Sequence, residues 1–210
     1  MNDSAANTGR VLWAGLRALL VLTVITGVLY PLAVTGVAQA AFPGKANGSE
    51  IKNASGKVVG SELIGQSYED LRWFQPRPSN GLGTNGVNTR YKLILSGATN
   101  RSGDNEDLIK WVTDAKAAVV EDNSVNGHTV KPSDVPADAV TSSGSGLDPH
   151  ISPEYAEIQV HRVAGRNGLA VPTVEKLVAD HTDDRILGFI GEPRVNVLEL
   201  NIALKELTQG

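Results

Sequence analysis

The chain has 210 residues, with 19 Lys and Arg, 23 Asp and Glu, no cysteine, and a formal charge of −4. That balance supplies no basic face for nucleic acid, and without cysteine there is neither a disulfide nor a thiol nucleophile. Beyond Gly44 lie 166 residues with 17 basic and 22 acidic side chains, enough for one core of Leu, Ile, Val, Ala and a few aromatics.

Residues 1–10 are polar and read as a disordered tail. From Ala18 to Gly44 no residue is charged. As a helix, Ala18 to Phe42 reaches about 37 Å at ~1.5 Å per residue, more than a hydrocarbon core of about 30 Å, so it spans a bilayer with some tilt. The span is placed at 11–42, ended by Phe42-Pro43-Gly44. A cleaved signal peptide is the alternative, with Arg10 and Arg17 as its basic region and Ala38-Gln39-Ala40 as the cleavage site. Its apolar region would be about 7–15 residues, and this run is nearly twice that. Arg10 and Arg17 before the helix against Lys45, Lys52 and Lys57 after it leave the orientation open by charge counting. Thr23 and Gly27, four apart, with Tyr30 and Pro31 one turn on, are the expected packing surface for a neighbouring helix, because small residues let backbones approach.

Residues 43–210 read as one soluble domain. Lys57 to Gly65 alternates as a strand does. Arg72 to Pro78 is barred from helix by its prolines. Ser79 to Thr89, with two Asn-Gly pairs, reads as a turn-rich surface loop. Asp104 is the expected cap of a helix whose apolar face is Leu108, Trp111, Val112, Ala115 and Val119. Asn123 to Asp138 reads as a linker. Ser152-Pro153 starts a helix that ends near Asn167-Gly168, and Pro172 opens another with Val174, Leu177 and Val178 on one face. Ile186 to Ile190 reads as a short strand. Asn196 and Glu199 make a capping-box-like start for a last helix with the stripe Val197, Leu200, Leu204 and Leu207. The fold class is α+β, a mixed α and β domain attached to a single N-terminal membrane-spanning helix.

No phosphate-cradling Gly-x4-Gly-Lys-Ser/Thr loop, no Asp-Lys-Thr-Gly and no Gly-x-Ser-x-Gly elbow occurs. Glu154, Glu157 and His161 share a helix face at metal-ligand spacing, with a solvated face as the plainer reading. Ser143, Asp148 and His150 hold the residue types of a hydrolytic triad. Thr141 to Asp148 (TSSGSGLD) is the most unusual stretch. Its glycines and hydroxyls suit either a concave run of N–H groups for an anion or a tight turn that caps its own segment.

Several stretches together, TGVLYPLAVTGVAQAAFP with ANGS after it, VVGSELIGQ, FQPRPS, VPADAVTSSGSGLDPHISPEYAEIQVHRVA and IGEPRVNVLELNIAL, resemble the C subunits of the Kdp potassium-transporting P-type ATPases. The likeness runs from about residue 11 to 208 and departs around Gly81–Tyr91 and Asn100–Gly103. It implies an accessory subunit in the cell membrane with no catalytic centre of its own, needed for assembly of a high-affinity potassium uptake complex. The implied partners are a channel-like potassium-binding subunit, on which the helix packs, a P-type ATPase subunit, and a small single-helix subunit. The N-terminus is expected in the cytoplasm and the domain outside it, near the ion entry. No covalent cofactor is implied, and potassium is the transported ion. The resemblance also implies a chaperone that raises the ATP affinity of the pump subunit. The nucleotide contacts that the resemblance implies are Ser143, Gly144, Ser145, Gly146, Leu147, Asp148 and Gln159. ATP is cytoplasmic, so an outer domain meets it only indirectly, and coupling then travels through the membrane helices. The rival reading is a stand-alone membrane-anchored extracytoplasmic binding protein or hydrolase, with Ser143, His150 and His161 as its site.

Overall fold

A computed structural model describes residues 3–53, 55–79 and 96–209. It divides into two compact units, residues 1–50 and 51–210. The loop expected at Ser79–Thr89 lies outside the described residues, Ser79 excepted.

The first unit is one long helix. α1 (Asp3–Val24) runs into a π-turn, Ile25–Leu29, and continues as α2 (Tyr30–Ala41). The stretch Ala6–Ala41 is long and apolar enough to cross a membrane, and none of it is buried within the chain. The helix runs from Asp3 rather than from about Val11, and Ala5, Ala6 and Arg10 are the favourable residues in that added stretch. The Thr8 hydroxyl is bonded back to the Ser4 carbonyl at 2.8 Å. Pro31 explains the π-turn. It has no N–H to offer the preceding turn, and its ring crowds the carbonyl four residues back. The Tyr30 N–H instead reaches the Ile25 carbonyl, and the Thr26 hydroxyl donates to the Leu22 carbonyl at 2.8 Å. At Phe42 the backbone leaves helical geometry, and a single turn, α3 (Pro43–Ala46), follows.

In the second unit β1 (Glu50–Lys52) pairs with β2 (Val58–Ser61), shorter than the extended stretch expected over 57–65. α4 (Glu106–Asn123) is capped by Asn105 rather than Asp104, its side chain accepting the Leu108 N–H. Only Val119 of the predicted apolar face is buried. Trp111 stays exposed with the Arg101 guanidinium 4.7 Å from its ring centroid. Residues 123–138 are packed, not a loose linker. Val125 and His128 form a bridge, two 3₁₀ turns follow at Pro132–Asp134 and Ala137–Ala139, and Val130 and Ala139 are buried.

β3 (His150–Ile151) leads into α5 (Pro153–Asn167), capped by the Ser152 hydroxyl, which accepts the Tyr155 N–H at 3.1 Å. Gly168 ends α5 at φ +67°, a left-handed position that suits glycine. α6 (Val171–Asp180) has Pro172 in its first turn. β4 (Thr182–Asp183) and β5 (Arg194–Asn196) then form a hairpin, with β5 between β3 and β4, all antiparallel. The expected strand Ile186–Ile190 is the tip of this hairpin. Ile186 and Ile190 bridge, and the chain reverses through Leu187 at φ +55° and Gly188 at φ +79°. A Leu-Gly pair at positive φ closes a tight turn, which prevents a continuous strand there. α7 (Val197–Gln209) starts where the Asn196 carbonyl oxygen of the side chain accepts the Leu198 and Glu199 N–H groups. Leu200 and Leu204 are fully buried, whereas Leu207 is exposed. The core joins α5, α6, α7 and β5 around Val160, Val163, Val174, Val195 and Leu200, with Phe74 inserted among them.

Candidate functional site

Residues 71–79 (LRWFQPRPS) form the most heavily held irregular segment among the described residues. Residues 71–73 turn, with the Trp73 N–H donating to the Asp70 carbonyl at 3.1 Å. Prolines at 76 and 78 keep the rest extended, and it joins no described strand. Side chains meet its backbone groups instead, as buried backbone requires. The Phe74 N–H donates to Asn201 Oδ1 at 2.8 Å, and Asn201 Nδ2 donates to the Phe74 carbonyl at 2.9 Å. The Gln75 N–H donates to Gln159 Oε1 at 2.6 Å, and Gln159 Nε2 returns to the Gln75 carbonyl at 3.1 Å. Consecutive residues of an extended chain present their polar groups to opposite sides. One amide from α7 and one from α5 therefore act as the two neighbouring strands this segment lacks.

Arg162, 1% exposed, completes the clasp. It donates to the Leu71 carbonyl, to the Trp73 carbonyl at 3.0 Å, to Gln159 Oε1 at 2.6 Å and to Asn123 Oδ1 at 2.8 Å. Asn167 Nδ2 donates to the Arg72 carbonyl at 2.8 Å. All four acceptors of Arg162 are neutral. Burial lowers its pKa to about 10, partly offset by the nearby Tyr155 hydroxyl and Asp122 carboxylate. It stays a cation at neutral pH, stabilised by aimed carbonyl dipoles.

The far end of the segment meets the serine-glycine loop. Arg77 donates to the Thr141 carbonyl at 3.2 Å and to Asp148 Oδ2 at 3.0 Å, and the Ser79 hydroxyl donates to the Gly146 carbonyl. The Gly65 N–H donates to the Leu147 carbonyl at 2.8 Å, and the Gly97 N–H to the Ser145 carbonyl at 2.8 Å. A Cβ on Gly65 would lie 2.6 Å from the Asp148 carbonyl oxygen, so only glycine permits this approach. Within the loop, Ser143 Oγ accepts the Gly146 N–H at 2.9 Å and Ser145 Oγ accepts the Leu147 N–H at 3.1 Å. Burial alone would raise the Asp148 pKa. The side chain and N–H of His150, with the Arg77 guanidinium, outweigh that and hold it at about 2. The described residues around this loop enclose only about 10 Å³, room for about one water at most.

The predicted site residues thus fall into two groups. Ser143, Gly144, Ser145, Gly146, Leu147 and Asp148 form one loop that grips residues 65, 77, 79 and 97, while Gln159 grips Gln75 from the core. Asp148 and His150 are in contact at 3.3 Å, but His161 stacks on His128 with centroids 3.8 Å apart, in a different cleft with Glu157 and Glu175. Among the described residues no three His, Asp or Glu side chains form a metal-holding group. Asn201, Arg162, Asn123 and Asn167 were not legible as site residues. The available signal was polar side chains at core spacing, since Gln159 and Arg162 interrupt the buried stripe Ala156, Val160, Val163.

In the helix of the first unit, Gly27 sits inside the π-turn, where an added Cβ would meet only Thr23 Cγ2 at 4.0 Å. Thr23, Gly27, Tyr30 and Pro31 are all exposed within this chain.

Residues 12–206 match the family model described as KdpC, K+-transporting ATPase, c chain. The chain is 74% identical over 219 residues to a potassium-transporting ATPase KdpC subunit of Streptomyces avermitilis, covering 99% of this chain and 98% of that protein. It is 44% identical to the KdpC subunit of Geotalea uraniireducens, covering 90% and 94%, and 44% identical to that of Mycobacterium bovis, covering 94% and 99%.

Proposed function

The chain belongs to the KdpC family, the c chains of K+-transporting ATPases, and from that premise we propose that it is an accessory assembly subunit which acts on the pump from a distance. Residues 11–42 hold it in the cell membrane with the N-terminus inside, and residues 43–210 form an extracytoplasmic domain near the ion entry. Its partners are the channel-like potassium-binding subunit, the P-type ATPase subunit and a small single-helix subunit.

The observation that carries this reading is the long apolar helix of Ala6–Ala41, no part of which the chain itself covers. Lipid can cover aliphatic surface, but the π-turn at Gly27 leaves a close-approach notch that a helix fills better than an acyl chain. The serine-glycine loop is a brace for the 71–79 segment. Support for ATP binding by the pump subunit then passes through the membrane helices as a coupling free energy of about 1–3 kcal/mol.

An affinity pull-down of the tagged, detergent-solubilised chain from its native membranes tests this. Co-purification of a P-type ATPase chain and a multi-spanning channel-like chain, with potassium-stimulated ATP hydrolysis, is the expected result. Recovery of the chain alone from membranes that express those partners overturns it. Nucleotide protection of Ser143–Asp148 from hydrogen exchange in the purified chain would replace the remote mode with direct contact.

A further inference from the structure

The β4–β5 hairpin carries its largest apolar side chains where a water-facing turn would carry polar ones. Ile186, Leu187, Phe189 and Ile190 are 58%, 79%, 73% and 48% exposed. The tip is not loose. Ile186 and Ile190 exchange backbone bonds at 2.9 and 3.0 Å, the Gly188 N–H donates to the Arg185 carbonyl at 3.0 Å, and Arg185 pairs with Glu192 across the neck. Leu187 stands at φ +55°, a conformation that asparagine or glycine adopts at less cost. A leucine there is strained by roughly 1 kcal/mol or more and is fully presented to solvent. Neither local structure nor solubility favours a leucine at this position, which leaves contact with an apolar surface as what its side chain supplies.

We propose that this tip is a docking knob that inserts into an apolar recess on a companion membrane subunit of the potassium-transporting ATPase. The proposal rests on the reading of the chain as an assembly subunit. Charge argues against the lipid surface as occupant. The neck holds Asp183, Asp184 and Glu192 against Arg185 and Arg194, and both arginines are paired with acids. A loop that binds anionic headgroups would instead carry unpaired Lys or Arg on its polar face. Area argues against a second copy. The four side chains expose on the order of 500 Å², a size typical of functional patches, yet below the roughly 800 Å² per partner of a free-standing interface. A patch this small serves as a second contact on a partner already held by the membrane helix, where tethering supplies an effective concentration in the millimolar range.

The test uses the full chain assembled in its native membranes, with Phe189 replaced by the photoreactive p-benzoylphenylalanine and, as a control, the exposed Glu121 of α4 replaced likewise. Irradiation, purification and mass spectrometry should give an adduct between position 189 and a multi-spanning subunit of the ATPase, and none from position 121. In the Leu187→Asn background the adduct should fall at least fivefold, while the thermal midpoint of the purified chain does not drop, since asparagine suits the backbone there. An adduct to lipid, an adduct to a second copy, or no adduct from a complex whose companions do co-purify overturns the knob and leaves the subunit reading intact. If no companion co-purifies with the unmodified chain, the subunit reading fails and the knob with it.

Discussion

Gln159 holds both backbone polar groups of Gln75 with one side-chain amide, at 2.6 and 3.1 Å, across 84 residues of sequence. The same carbonyl oxygen of that amide accepts from Arg162, so a single buried side chain fixes both the 71–79 segment and the cation beside it. Gln159→Leu is expected to leave three polar partners unsatisfied and to destabilise the domain by about 3–5 kcal/mol. Gln159→Glu keeps the acceptor and adds an opposite charge beside Arg162, so its loss should be smaller. Urea unfolding of the purified chain ranks the two, and equal losses would mean that the clasp is not what Gln159 provides.

Gly65→Ala places a methyl group 2.6 Å from the Asp148 carbonyl oxygen. Backbone lies on both sides of that contact, so relief requires the serine-glycine loop to move. A loss of about 2–4 kcal/mol is expected, in the range of overpacked sites. Thermal unfolding measures it, and hydrogen exchange should show the amides of Gly146 and Leu147 opening first.

The Asp148 carboxyl titrates near 2 when folded, against 3.8 when free. A depressed folded-state pKa stabilises the protein above about pH 4, and that contribution is lost as pH falls toward 2. After a discount for partial exposure it amounts to about 1–2 kcal/mol. Asp148→Asn should flatten the stability profile in that window and lower the plateau above it. A variant whose profile between pH 5 and 2 keeps the slope of the parent would rule out this carboxyl as the cause.

Gly27→Leu adds a bulky side chain at the π-turn, where an added Cβ would touch only Thr23 Cγ2 at 4.0 Å. Weaker association with the companion subunits is expected, with several-fold less co-purified material and no change in the fold of the domain. Normal co-purification would show that the neighbouring helix packs elsewhere.

Local signals were legible and distant ones were not. Ser152, Gly168 and Asn196 mark helix ends through bonds to residues one turn away, and the structure places all three where their chemistry predicts. The uncharged run after Ala18 likewise announces the membrane helix. In contrast, the clasp on Phe74 and Gln75 joins residues 127 and 84 apart, and no periodicity encodes such a pairing. The stripe of α4 marks its helix, but helical spacing shows that a face is apolar and not how fully it is covered. Val119 is buried, Leu108, Val112 and Ala115 are half-buried, and Trp111 is exposed. At Ile186–Ile190 the apolar run suggested a strand, whereas the Leu-Gly pair inside it turns the chain. The seven residues 143–148 and 159 were grouped by resemblance; in the structure Ser145, Gly146, Leu147 and Asp148 hold residues 97, 79, 65 and 77, while Gln159 holds Gln75 from the core.

The π-turn has a geometric outcome for the membrane helix. A turn widened by one residue delays the helical phase by about 100°. A ridge that runs from Leu12 through Leu16 and Leu19 therefore does not continue in line beyond Tyr30, and the faces of the two halves point in different directions. One uninterrupted span can thus present one seam in one leaflet and a rotated seam in the other, so that the two halves of a single helix face two different neighbours.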